Sequence, residues 1–97
     1  MNKDIVSDVH RKRAQLLDVR TLPEWSDSHA SPAVHIPLQE LNENNLSILS
    51  PELPIYVYCQ SGNRAGLAVK VLEQKGFKAF NIGGLTDWKS AGGEISS

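Results

Sequence analysis

Cys59 is the only cysteine among the 97 residues, and its surroundings suit thiol chemistry. It closes the apolar run Pro54-Ile55-Tyr56-Val57-Tyr58 and opens Cys59-Gln60-Ser61-Gly62-Asn63-Arg64-Ala65-Gly66, which passes into a helical pattern. A strand, a thiol, a tight loop and a helix in that order aim several backbone N–H groups and the positive end of the helix dipole at one point above the sulfur. The same field favours thiolate over thiol: cysteines at helix N-termini titrate from roughly 3.5 to 7.5 instead of about 8.5. The competing reading is a small buried hydrophobe at a strand end, the commoner fate of an isolated cysteine. Ser61, Gly62, Asn63 and Arg64 within the next five positions tip the balance to a nucleophile, because core filling needs none of them.

The other residues able to do chemistry are fewer. Arg64 offers either a full charge for a bound anion or a structural link that holds the loop in shape, and the sequence leaves both open. His29 and His35 titrate near neutrality in principle, but a histidine bridging loop backbones is the expected role, and His10 is expected at the surface. One cysteine and histidines at positions 10, 29 and 35 give no metal-ligand spacing, and no cofactor is expected. Trp25 and Trp88 are expected to cover the edges of the core.

To position the thiol, the chain must place a buried strand before it and a helix after it. Ile55 to Tyr58 is β-branched or aromatic throughout, as a buried parallel strand requires. Ala65, Ala68, Val69 and Leu72 follow at i, i+3, i+4 and i+7, and the helix is expected to end at Lys75-Gly76. Upstream, a weakly amphipathic helix is expected from about Asn2 to Arg13, with Arg11-Lys12-Arg13 in its last turn facing water. Gln15 to Val19 reads as a strand, and Thr21 with Glu24 three positions on forms a capping box. Ala33 to Ile36 is a second short strand and Leu38 to Leu49 a helix. Lys78 to Ile82 is a strand, Gly83-Gly84 a tight turn, and Leu85 to Ser90 a last helix before a Gly92-Gly93 tail. The pattern is α/β: a central, mainly parallel sheet flanked by helices on both faces. In such folds ligands bind beyond the carboxyl ends of the strands, where Cys59 stands.

Several stretches together resemble the single-domain rhodaneses, a sulfurtransferase family. Cys59 to Gly66 resembles the family's active-site loop. Leu16-Leu17-Asp18-Val19-Arg20-Thr21-Leu22-Pro23-Glu24-Trp25 and His29-Ala30-Ser31-Pro32-Ala33-Val34-His35-Ile36-Pro37-Leu38 resemble its first two hallmark segments. Gly76-Phe77 and Gly83-Gly84-Leu85-Thr86-Asp87-Trp88 resemble its closing stretch. The likeness implies one rhodanese-like domain over residues 1–97 with its core at about 5–95. It also implies Cys59 as catalytic nucleophile, with Gln60, Ser61, Gly62, Asn63 and Arg64 binding substrate. The implied reaction moves a sulfane sulfur from thiosulfate or a persulfide donor to cyanide or a thiol acceptor through a Cys59 persulfide, a sulfur-accepting protein being a further partner. Asp18 and Arg20, read as lying on alternate sides of a strand end, are implied to support the fold. Gln60 replaces the arginine that many members carry after the cysteine, which bears on donor preference. Ala30, Ser31 and Pro32 replace the usual Ile, Pro and Gly. Two other functions fit the architecture: a cysteine-dependent phosphatase or arsenate reductase, whose loop is one residue longer, and a non-catalytic binding module.

Composition agrees with one soluble domain: 40% hydrophobic and 22% charged residues, with a formal charge of −1, give no electrostatic reason to bind nucleic acid or a lipid surface. No apolar run approaches the roughly 18 residues needed to span a bilayer. A monomer in the cytoplasm is the expectation, since Met1-Asn2-Lys3-Asp4 has no apolar signal core; a mature periplasmic form whose signal had been removed would read the same. The lone thiol can form no internal disulfide, which fits a reducing compartment.

Overall fold

Short apolar runs separated by helical patterns can bury both faces of each strand only if helices cover the sheet from both sides. The computed structural model, which describes residues 4–97, has that layout. In chain order the elements are α1 (Asp4–His10), β1 (Gln15–Asp18), α2 (Leu22–Asp27), β2 (His29–Ser31) and β3 (Val34–His35). A 3₁₀ turn (Leu38–Glu40), α3 (Glu43–Leu46), β4 (Ile55–Cys59), α4 (Asn63–Gln74), β5 (Ala79–Gly84), α5 (Leu85–Ser90) and β6 (Glu94–Ser96) follow. The main sheet has the order β3-β1-β4-β5, with every pairing parallel.

The period of two along each strand sorts the core into two layers. Leu17, Val57, Ile55 and Cys59 face α4, meeting Ala65, Ala68 and Leu72, with Leu46 and Leu49 closing that side. Leu16, Tyr58 and Ile82 face the opposite way, against Ile5 and Val9 of α1 and Trp88 of α5. Cys59 therefore shares the face of the sheet that carries α4. The predicted α4 stripe is the buried one, and Gly76, at φ 92°, ends the helix in the left-handed region.

Several local expectations differ from the structure. Asn2 lies outside the described residues; helix α1 ends at His10, so Arg11-Lys12-Arg13 forms the exposed turn after it, with Lys12 at φ 60°. The single helix expected over 38–49 is two pieces, because the Asn42 side chain accepts from the Asn45 N–H and starts a new helix there. The strand at 33–36 is reduced to Val34–His35. The Gly83-Gly84 turn is instead the end of β5, Gly84 serving as N-cap of α5. The expected tail is strand β6, antiparallel to β2; this pairing joins segments far apart in sequence and left no local signal. Trp88 lies inside the second layer at 0% exposure, with its indole N–H donating to the Glu94 carbonyl at 2.8 Å.

Candidate active site

The last residue of β4 presents its side chain beneath the N-terminus of α4, and the chain between must turn without a side chain in the way. Gly62 does this at φ 101°, a left-handed conformation that L side chains rarely adopt. Its N–H donates to Cys59 Sγ at 2.9 Å, and the Ala65 N–H reaches the same sulfur at 3.4 Å. The thiol is buried at 1% exposure, which by itself pushes its pKa up. Backbone N–H groups of Ala65, Gly62, Ser61 and Arg64 together outweigh that burial and hold it below the ordinary thiol value. The backbone supplies the main opposition to burial, in line with the strand–loop–helix order, and Arg64 interacts electrostatically with the same thiol. Ala65, one residue beyond the predicted loop, is the unforeseen donor; the sulfur sits deeper under the helix than the 60–64 segment alone suggests.

The loop is braced from two sides. On one, the Asn81 side-chain amide donates to the Gly62 carbonyl at 2.9 Å, while its oxygen accepts from the Gly83 N–H at 2.8 Å. Gly84 packs directly beneath: a Cβ there would run into the Gln60 carbonyl. On the other side, Arg64 binds both carboxylate oxygens of Glu24 of α2 through its two terminal nitrogens, at 2.7 and 3.0 Å. Glu24 also accepts from the Thr21 N–H and hydroxyl in the predicted capping box. The Arg64 hydrogen bonds, working against burial and aided by Thr21, hold the Glu24 carboxyl down at about 2. Of the two roles open to Arg64, the geometry favours the structural link.

Asp18 and Arg20 are two residues apart on a strand end and hence on the same side, not on alternate sides. Arg20 Nε lies 3.0 Å from Asp18 Oδ2 and its NH2 group 2.9 Å from the same oxygen, with both residues buried. Tyr58 donates its hydroxyl to Asp18 at 2.6 Å and accepts from the Ala30 N–H at 2.9 Å. Arg20 also donates to the Ser28 carbonyl and, at 3.4 Å, to Gln60 Oε1. The network thus runs from the core to the residue after the cysteine.

His29 and His35 bridge backbone as expected, donating to the Trp25 and Arg20 carbonyls at 2.8 and 2.7 Å. Trp25 is stacked between their rings, at centroid distances of 3.6 and 4.8 Å, and so stiffens the α2 corner that holds Glu24. Ser61 and Asn63 are exposed and line a cleft of about 490 Å³ with Asn81, Gly83 and Asp87. Gln60, also exposed, lines a second cleft of about 420 Å³ with Arg20, Glu24, Asp27 and Leu85. An apolar hollow of about 260 Å³ near Val9, Leu16 and Pro32 lies by the amino end of β1, away from the thiol. Among the described residues no cluster of His, Cys, Asp and Glu could hold a metal ion, and no helix is long and apolar enough to cross a membrane.

Sequence reasoning missed Asn81 and the Glu24–Arg64 pair. An asparagine inside a strand, a poor strand former, was the available signal for the first. The second joins residues 40 positions apart and had none.

The family model for the rhodanese-like domain matches residues 2–91. A Bacillus subtilis protein named as a sulfur carrier, YrkF, is 37% identical over 75% of this chain, which covers 40% of that protein. The Escherichia coli thiosulfate sulfurtransferase PspE is 32% identical over 73% of this chain and 70% of its own length. The crystal structure of a Staphylococcus aureus rhodanese-like domain protein superposes with a TM-score of 0.78 at 29% identity, covering 100% of this chain and 97% of that one. The chain thus spans less than half the length of some curated relatives.

Proposed function

Because the chain belongs to the rhodanese-like domain family, matched over residues 2–91, we propose that it is a sulfurtransferase carrying a sulfane sulfur on Cys59. The observation that carries this reading is the cradle of backbone N–H groups that lowers the pKa of a buried thiol. The Cys59 thiolate attacks the outer sulfur of thiosulfate or a persulfide. The Sγ–S bond forms as the donor's S–S bond breaks, and that electron pair leaves on sulfite or a thiolate. Cyanide or an acceptor thiolate then takes the terminal sulfur, and the Sγ–S electron pair returns to Cys59. Charge on the terminal sulfur is stabilised by preorganised N–H groups of the loop 60–64 and Ala65. The partners of this reaction are small sulfur donors and acceptors, with a sulfur-accepting protein as a further acceptor, and a reducing cytoplasm suits the lone thiol.

A phosphatase reading is disfavoured by the same geometry. Its loop would need an arginine free to grip a tetrahedral oxyanion, and Arg64 is bound to both Glu24 oxygens. The reading is tested by following thiocyanate formation from cyanide with thiosulfate or glutathione persulfide as donor. Turnover by the wild type and none by Cys59→Ser is expected; equal turnover by both would place the chemistry elsewhere.

A further inference from the structure

Resting on the sulfurtransferase reading, we infer that the mouth of the site selects a persulfide with no fixed negative charge beside its sulfane sulfur and disfavours anionic donors such as thiosulfate.

A donor's outer sulfur must enter the loop to meet a thiol buried at 1% exposure. The rest of the donor then stays in the mouth, among the groups lining the two flanking clefts. Thiosulfate would leave its sulfonate there. Neither arginine near the loop is free to receive it. Arg64 is neutralised by both oxygens of Glu24, and Arg20, 3% exposed, is spent on Asp18, the Ser28 carbonyl and Gln60. Position 60 itself supplies an amide whose oxygen is taken by Arg20, leaving only its NH₂ as a neutral donor.

The carboxylates, by contrast, are in excess. Asp27 lines the cleft beside Gln60 and Glu24, exposed and without an ion-pair partner among the described residues. Asp87 lines the other cleft, accepting from the Gly84 N–H and without an ion-pair partner among the described residues. A singly charged thiolate attacking dianionic thiosulfate gathers three negative charges in this acidic mouth. A cationic persulfide brings instead an ammonium that Asp27 can receive. Approach of like charges is slowed at low salt and relieved by screening, and approach of opposite charges does the reverse.

The test loads the full-length chain with three donors at low and high ionic strength and follows Cys59 persulfide formation. The donors are thiosulfate, glutathione persulfide (from oxidised glutathione and sulfide) and cysteamine persulfide (from cystamine and sulfide). The two persulfides share a reacting group and differ in charge, so their ratio separates charge from intrinsic reactivity. Cysteamine persulfide is expected to load at least about tenfold faster than glutathione persulfide at low salt, a barrier difference of about 1.4 kcal/mol. Added salt should narrow that gap and speed thiosulfate. Gln60→Arg and Asp27→Asn should each raise the thiosulfate rate several-fold. Equal rates for the two persulfides, or a thiosulfate rate that falls with salt, would overturn the inference while leaving the sulfurtransferase reading intact. Absence of a Cys59 adduct with all three donors would overturn both.

Discussion

Glu24 and Arg64, 40 positions apart, form a two-pronged ion pair at 2.7 and 3.0 Å that ties the first turn of α2 to the first turn of α4 beside the cysteine loop. Arg64→Ala should therefore still lower transfer at high salt, where the freed Glu24 carboxylate is screened, and reduce stability by about 1 kcal/mol, the upper range for a partly exposed pair. Donor KM and melting temperature, measured from low to high salt, check this. A selective rise in KM that salt abolishes would show Arg64 binding the donor instead.

The acid limb of stability should carry the signature of the same pair. Glu24 is held at about 2, below its ordinary 4.5, so the folded state favours its ionised form. Its contribution is complete above about pH 4.5 and is lost as pH falls through about 2. Denaturant melts of wild type and Glu24→Gln should differ at pH 5 and converge toward pH 2. A gap that stays constant to pH 2 would mean that the carboxylate is not what stabilises the pair.

Much of the site was legible because its parts are local. The strand, the thiol, Gly62 and the amphipathic stripe of α4 lie within one stretch, and each has a period or a residue type that dictates its geometry. Thr21 and Glu24 likewise announce a capping box three residues apart. What escaped was set by partners remote in sequence: the β2–β6 ribbon, the Asn81 brace, the second job of Glu24 and the full burial of Trp88. The break at Asn42 was missed for another reason, since the apolar positions from Leu38 to Leu49 satisfy helical spacing on both sides of a cap that interrupts them.

Thiol titration tests the backbone cradle. The rate of Cys59 alkylation by iodoacetamide against pH should show a midpoint below the about 8.5 of a free thiol. Asn81→Ala, which releases the Gly62 carbonyl, should raise that midpoint and slow transfer. An unchanged midpoint would mean that Asn81 does not set the loop.

Gly84→Ala should damage the site from beneath, because its Cβ would meet the Gln60 carbonyl and one backbone must shift. A loss of about 1–3 kcal/mol is expected, as for other overpacked positions, together with lower transfer per folded molecule. Thermal melts and activity at matched folded fraction separate the two effects. Wild-type values for both would show that β5 and the loop are not in register as described.

The buried Asp18–Arg20–Tyr58 network should behave as structure. Tyr58→Phe removes the hydroxyl that serves Asp18 and the Ala30 N–H, and unsatisfied buried groups of this kind cost about 1–3 kcal/mol. Arg20→Leu leaves a buried carboxylate unpaired and should cost about 3–5 kcal/mol. Chemical denaturation at neutral pH ranks them, and the reverse order would contradict the pairing.

Intact-protein mass spectrometry after incubation with thiosulfate or a persulfide donor tests the central claim most directly. Wild-type protein should gain one sulfur that cyanide removes, and Cys59→Ser should gain none. A sulfur adduct on the variant, or none on the wild type with any donor, would contradict the assignment of Cys59 as the sulfur carrier.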